Sequence, residues 1–204
     1  MSDYQFTHDW FAQAEQVWPQ LIPHLPGEPG NRQFLEIGSF EGRSAVWIAE
    51  NMMTEDDELR CIDTWKGGEE HSEEDMAAVE ARFRHNLVLA AERFPRRRIF
   101  QCPGTSIQRL AEFQDEDRFD FIYIDGSHVA KDVLTDACMA WPLLKPKGMM
   151  VFDDYMWGNP RDVLHRPKVA IDAFTNIFAE EADIIHVGYQ LVVRKKAQEG
   201  VNAQ

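Results

Sequence analysis

Apolar positions along the chain follow two different spacings. Five short apolar runs, near residues 34–38, 59–63, 98–102, 120–124 and 148–152, have the length and bulk of buried strands. Between and after them, near 43–53, 73–94, 105–113, 130–141 and 167–180, apolar side chains return every three or four positions, the spacing of one helix face. Such alternation, with short connections, predicts an α/β domain: a doubly wound, mostly parallel sheet with helices on both faces. The end of the chain breaks the rhythm. Residues 183–187 and 189–194 are two apolar runs around Gly188 with no helix between them, which predicts an antiparallel hairpin and brings the strand total to seven.

The segment ahead of the first strand has its own pattern. Phe6, Trp10, Phe11, Ala14, Val17, Trp18 and Leu21 fall at helical spacing over residues 7–22, until Pro19 and Pro23 disturb it. With the turn-rich stretch Pro26 to Gly30 behind it, residues 1–29 read as a helical lid or docking segment, residues 30–194 as the main domain, and 195–204 as a flexible tail.

Composition narrows the classes of function. A chain of 204 residues with 44% hydrophobic and 27% charged residues suits one domain with a full core. A formal charge of −14 repels phosphate backbones and anionic lipid, so neither nucleic acid nor a membrane is an expected partner. Arg96, Arg97 and Arg98 read as a solvated turn. With no long apolar span and no signal pattern, the expected location is the cytoplasm. Cys61, Cys102 and Cys138 have no paired spacing and read as reduced core thiols.

Residues 34–44, FLEIGSFEGRS, carry the first chemistry. Leu35 and Ile37 belong in a strand, Gly38 permits a sharp turn, and Gly42 lets a helix begin close to the sheet with its amides facing a ligand. A tight turn without a ligand would read the same way. The second strand, LRCID, ends in Asp63, placed to accept both hydroxyls of a ribose. Phe40 stands where a dinucleotide site needs a glycine for its pyrophosphate. A phosphate-free adenosine cofactor tolerates Phe40, and S-adenosylmethionine is the obvious one. The sheet is thus expected to be Rossmann-like without binding NAD.

Three acids end two other strands. FDFIYIDGSH runs to Asp125, and GMMVFDDY to Asp153 and Asp154. Ligands of open α/β sheets lie outside the carboxyl ends of the strands, so all three acids are expected in one cleft. Clustered carboxylates repel unless a cation neutralises them, and hard oxygen donors suit Mg2+, Ca2+ or Mn2+. Capping of loop amides is the alternative.

FLEIGSFEGRSAVWIA, CIDTW, FIYIDGSH and LLKPKGMMVFDDY together resemble the class I S-adenosylmethionine-dependent methyltransferases. The resemblance spans about residues 30–194 and is to the branch holding catechol O-methyltransferase and the metal-dependent antibiotic-sugar O-methyltransferases. It implies that Glu36, Gly38, Ser39 and Ser44 surround the methionine end and Asp63 holds the ribose. Thr64 and Trp65 would border the adenosine, and Gly104, Thr105 and Ser106 the adenine. Asp125, Asp153 and Asp154 fall on its metal-ligand positions. Asp154 replaces the asparagine of the catechol enzymes, which tilts the comparison toward the sugar-modifying relatives. His128 lies three residues beyond Asp125, where the catechol enzymes have their catalytic lysine; an imidazole can take a proton near neutral pH. A helix cap is the other role open to His128.

The leading expectation is metal-assisted methylation of a small-molecule hydroxyl, on a sugar or a catechol-like ring, with Asp125 and His128 at the reacting oxygen. The segment from Tyr155 to Lys168, with Trp157, Gly158, Pro160, Arg161, His165 and Arg166, would form the acceptor wall, unless that loop packs on the N-terminal helix or on a partner subunit in a homodimer. A cofactor-binding module without catalysis and a metal-independent methyltransferase are the alternatives.

Overall fold

A computed structural model describes residues 3–68, 71–158 and 160–197. Its sheet has seven strands: β1 (Gln33–Ile37), β2 (Glu58–Asp63), β3 (Arg98–Pro103), β4 (Phe119–Ile124), β5 (Leu144–Phe152), β6 (Ala182–Val187) and β7 (Leu191–Lys195). Their order is β3-β2-β1-β4-β5-β7-β6. β1 to β5 pair in parallel, and β7 runs antiparallel between β5 and β6. The expected hairpin is present, with its second strand inserted next to the parallel set.

Side chains leave the strands alternately to two cores. Leu35, Ile37, Ile122, Ile124, Met150 and Phe152 pack beneath α5 (Ala130–Ala140) and α6 (Pro167–Ile177). Phe34, Leu59, Cys61, Phe121, Tyr123 and Val151 pack beneath α2 (Arg43–Asn51) and α3 (Met76–Arg93). α3 begins where the Asp75 carboxylate accepts the Ala77 and Ala78 amides. The short α4 (Ser106–Leu110) begins with a reciprocal cap between Thr105 and Gln108.

The N-terminal segment departs from the expected single helix. It is a chain of short turns, with α1 (Ala14–Val17) flanked by 3-10 turns at Trp10–Gln13, Trp18–Gln20 and Ile22–His24. Pro19 and Pro23 cannot donate to the preceding turn, so each helical stretch restarts. Nor does the segment stand off from the domain. Trp18 is 0% exposed, edge-on to Phe121, Tyr123 and Trp47, and its Nε1 donates to Gln190 Oε1 at 2.8 Å. The tail also begins later than expected. Lys195 is a buried residue of β7, and its ammonium donates to Asp117 and to the carbonyls of Trp141 and Leu144. The rest of the expected tail, from residue 198 on, lies outside the described residues.

Candidate active site

β1 and β4 are neighbours from which the chain departs in opposite directions, and such a switch point opens a crevice at the strands' carboxyl ends. Here it is a cleft of about 920 Å3. Gly38, with φ of 86°, closes one side so tightly that a Cβ would stand 2.0 Å from the Asp125 carbonyl oxygen. The loop from Gly38 to Gly42 is held from below. Asp63 Oδ2 accepts the amides of Ser39 (2.8 Å) and Phe40 (2.9 Å), and its Oδ1 accepts that of Trp65 (2.7 Å). A carboxylate offers about four lone-pair positions, so Asp63 keeps about one for a ligand. Its first task is to shape the loop.

Gly38, Ser39, Ser44, Asp63, Thr64, Gly104, Thr105 and Ser106 all line the cleft, as the resemblance implies. Glu36 and Trp65 do not. Glu36 is 0% exposed beneath the loop and accepts the Ser44 hydroxyl, and burial pushes its carboxyl up to about 7, with Ser39, Ser44 and Cys61 offsetting part of the rise. Trp65 packs on Phe83, with ring centroids 4.6 Å apart, and its Nε1 donates to the Phe40 carbonyl. Both residues belong to the support of the loop because their side chains leave the strand and turn on the core side.

Asp125, Asp153 and Asp154 line the opposite side. The Tyr123 hydroxyl donates to Asp125 Oδ2 at 3.0 Å and lies against Asp153 Oδ2. Asp153 also accepts Gln190 Nε2 at 3.0 Å and the Asp154 amide at 2.7 Å. Asp125 opens into the cleft, but the cleft floor is deep. Burial, then the charges of Asp153 and Asp154, raise its carboxyl well above the usual range. Burial and Asp154 push Asp153 up to about 6. Asp154, at φ of 56°, is turned elsewhere, accepting the Tyr189 hydroxyl at 2.7 Å and meeting His128 Nε2 at 2.7 Å.

This arrangement bears on two expectations. The donor set suits a hard divalent cation, but Asp154 is committed to His128 and Tyr189. Among the described residues no three metal-binding side chains stand where they could share an ion. His128 lines the cleft, with Nε2 2.7 Å from Asp154 Oδ2, Nδ1 buried, and its ring 4.0 Å from that of Trp157. Of the expected acceptor wall, Trp157 lines the cleft, while Gly158, Pro160, Arg161, His165 and Arg166 do not.

Several cleft residues had no local signal. Asp136, midway along α5, is buried on the cleft wall; burial pushes its carboxyl up to about 6. Tyr189 comes from the hairpin turn, and its buried neighbour Gln190 supports Asp153. At the mouth, His8 stacks on Trp10 at 4.2 Å and His71 on Phe40 at 5.1 Å, joining three distant segments. The N-terminal segment is pinned there by His8 to Glu74 and Arg43 to Asp9.

A family model described as a methyltransferase domain matches residues 35–155. The chain belongs to this methyltransferase family. The match runs from β1 to just beyond Asp154, so it contains the glycine loop and all three carboxylates. No curated protein matches the chain. Among solved structures, a candidate O-methyltransferase from Klebsiella pneumoniae is 20% identical, with 94% of this chain and 84% of that one covered and a TM-score of 0.68. The O-methyltransferase TomG from Streptomyces achromogenes, involved in tomaymycin synthesis and solved with S-adenosylmethionine, is 18% identical, with 97% and 84% covered and a TM-score of 0.66. An O-methyltransferase from Bacillus cereus, solved with S-adenosylhomocysteine, is 18% identical, with 96% and 84% covered and a TM-score of 0.62. At these identities the likeness is one of fold, and this methyltransferase has the Rossmann-like fold of that group.

Proposed function

We propose that this methyltransferase uses S-adenosylmethionine to methylate a hydroxyl of a small molecule, with Asp125 taking the proton. The carrying observation is that one cleft joins the phosphate-free glycine loop to a carboxylate of raised pKa that faces the open space. S-adenosylmethionine fits the donor side on three grounds: the Phe40 position has no provision for a pyrophosphate, Asp63 retains a lone pair, and the cleft has room for an adenosyl group and a small acceptor. The structures solved with the cofactor or its product share the fold.

The bound donor supplies a methyl group on a sulfonium, which passes to an acceptor oxygen as the carbon–sulfur bond breaks. Residues of this chain position the two partners and receive the proton. The loop held by Asp63 orients the donor, and Trp157 and Trp10 flank the acceptor space. A carboxyl raised above the ordinary range can hold a proton taken from a hydroxyl better than an ordinary one. His128 fixes Asp154, keeping a second negative charge beside Asp125. The charge of −14 favours a small acceptor over nucleic acid, and among the described residues no helix is long and apolar enough to cross a membrane. A cytoplasmic setting belongs to the same proposal.

A divalent cation held by Asp125 and Asp153 is a second reading, favoured by the closeness of these two carboxylates to one hydroxyl. Transfer of labelled methyl from S-adenosylmethionine to a panel of hydroxylated small molecules tests the function. A labelled ether product supports it, and failure to bind S-adenosylhomocysteine overturns it. Repeating the assay in excess chelator separates the readings: full turnover favours Asp125 alone, and lost turnover restored by Mg2+ favours the cation.

A further inference from the structure

The sheet borders a second concavity, at the end away from the cleft. A cavity of about 410 Å3 opens where the start of β5, the start of β6 and the end of β7 meet residues 23–26 of the N-terminal segment. Lys147 lies near the start of β5 and Asp153 follows its other end, so about 20 Å of strand separates this cavity from the carboxylates. β7 runs antiparallel to both its neighbours, which brings Arg194 beside Met149 on one side and Asp183 on the other. The proposed methyl transfer uses none of these side chains.

The charge here runs against that of the whole chain. In a protein of net charge −14, Lys147, Arg194, Lys195 and Lys196 line this cavity, and Asp183 is the one acid among the described lining residues. Lys195 is spent on Asp117 and two carbonyls, and Lys196 meets Asp183 at 3.7 Å. Among the described residues no acid pairs with Lys147 or Arg194. Lys147 also adopts φ of 67°, a conformation open to glycine and costly for a lysine. Two cations without acids therefore border one concavity, and the protein's remote acids, screened by salt over about 10 Å, do not cancel their field.

The lining also sets the chemistry of the ligand. A guanidinium presents a planar fork of N–H donors that matches a phosphate, and a lysine adds a compact charge beside it. The N-terminal segment contributes Pro23, Leu25 and Pro26, an apolar surface with the His24 ring among them. A volume of this size falls in the range of small-molecule sites and leaves space beyond a phosphate group. We propose that the cavity binds a small phosphomonoester, its phosphate toward Lys147 and Arg194 and its organic group on the surface of residues 23–26. The site is separate from the methyl-transfer cleft and does not depend on the reading of that cleft.

The test is calorimetric titration of the full chain with phenyl phosphate, inorganic phosphate and phenol at low ionic strength. Phenyl phosphate is expected to bind in the millimolar range or tighter and to exceed inorganic phosphate, while phenol does not bind. Lys147→Gly and Arg194→Gln are each expected to weaken phenyl phosphate by roughly tenfold or more, the worth of one charge-assisted hydrogen bond. Lys147→Gly also relieves the backbone, so it is expected to melt at or above the wild-type temperature, which separates a lost ligand contact from a damaged fold. Saturating S-adenosylhomocysteine is expected to leave the phenyl phosphate affinity unchanged. Competition between the two would put the phosphomonoester in the cleft and overturn the proposal. Unaltered affinity in both variants overturns it as well, as does an equal loss in Lys131→Gln, an exposed lysine of α5. Inorganic phosphate binding as tightly as the ester would leave a bare anion site and overturn the assignment of an organic group.

Discussion

Asp125 and Asp153 share the hydroxyl of Tyr123, which lies 3.0 Å from the first and in contact with the second. One hydroxyl has one proton to donate. Both carboxylates face that one donor, and both are raised: Asp125 by burial and the charges of Asp153 and Asp154, Asp153 by burial and the charge of Asp154.

Asp125→Asn is expected to lower turnover by about 10²–10⁴-fold, the usual contribution of a positioned base, while binding S-adenosylhomocysteine as the wild type does. Wild-type turnover is expected to rise with pH, with its midpoint above the ordinary carboxylate range, as Asp125 gives up its proton. His128→Ala should retain that pH profile and lose rate through a displaced Asp154. Single-turnover rates across pH check all three outcomes; a flattened profile in His128→Ala would return the proton-accepting role to the imidazole.

Glu36 opposes folding at high pH. Its carboxyl goes from the ordinary 4.5 up to about 7 in the folded protein. A raised acid stabilises the fold fully below its unfolded pKa, and that stability is lost as pH rises through the folded value, here between about 4.5 and 7. The loss is on the order of 3 kcal/mol. Glu36→Gln keeps an oxygen for Ser44 and is expected to melt higher than wild type at about pH 8, with the gain vanishing near pH 4. Thermal melts at the two pH values decide it; an equal effect at both would mean that Glu36 stays charged.

Asp63→Ala removes three amide bonds to one carboxylate. Bonds to charged groups are worth roughly 1.5–3 kcal/mol each, so both the melting temperature and the affinity for S-adenosylhomocysteine should fall. Asp63→Asn retains one oxygen acceptor and is expected to lie between. Calorimetry on both variants checks this, and an affinity loss with no change in melting would assign Asp63 to the ligand alone.

Trp18 reaches the carboxylates through one intermediary. Its Nε1 fixes the oxygen of Gln190, which leaves the Gln190 amide facing Asp153. Trp18→Phe keeps most of the buried ring but frees that amide. A stability loss of about 1–2 kcal/mol is expected, together with a shifted pH dependence of turnover. The shift separates positioning from packing, since lost packing alone would leave the profile in place.

The sheet is legible in the sequence because strand and helix spacings differ so plainly, and strand ends then place Asp63, Asp125 and Asp153 without further information. The N-terminal segment is misread for the opposite reason. Its seven apolar positions have helical spacing, but what they satisfy is a curved path over the sheet interrupted by two prolines. Glu36 and Trp65 sit inside motif stretches, where sequence cannot tell the ligand side of a loop from its core side. Gln190 is out of reach of any local pattern, since its meaning depends on Trp18, 172 positions away. Asp136 reads as one more polar residue on a helix until α4 and β4 are brought against it.

The contact at Gly38 has a consequence for how this enzyme can change. With no space between that glycine and the Asp125 carbonyl, the turn after β1 and the turn after β4 meet backbone to backbone in the cleft floor. Neither half can be remodelled without displacing the other, so a lineage acquiring a new acceptor has freedom only at the rim, where Trp10, His71 and Trp157 stand on separate segments. Diversification of such enzymes is therefore expected as exchange of rim side chains above an unaltered floor.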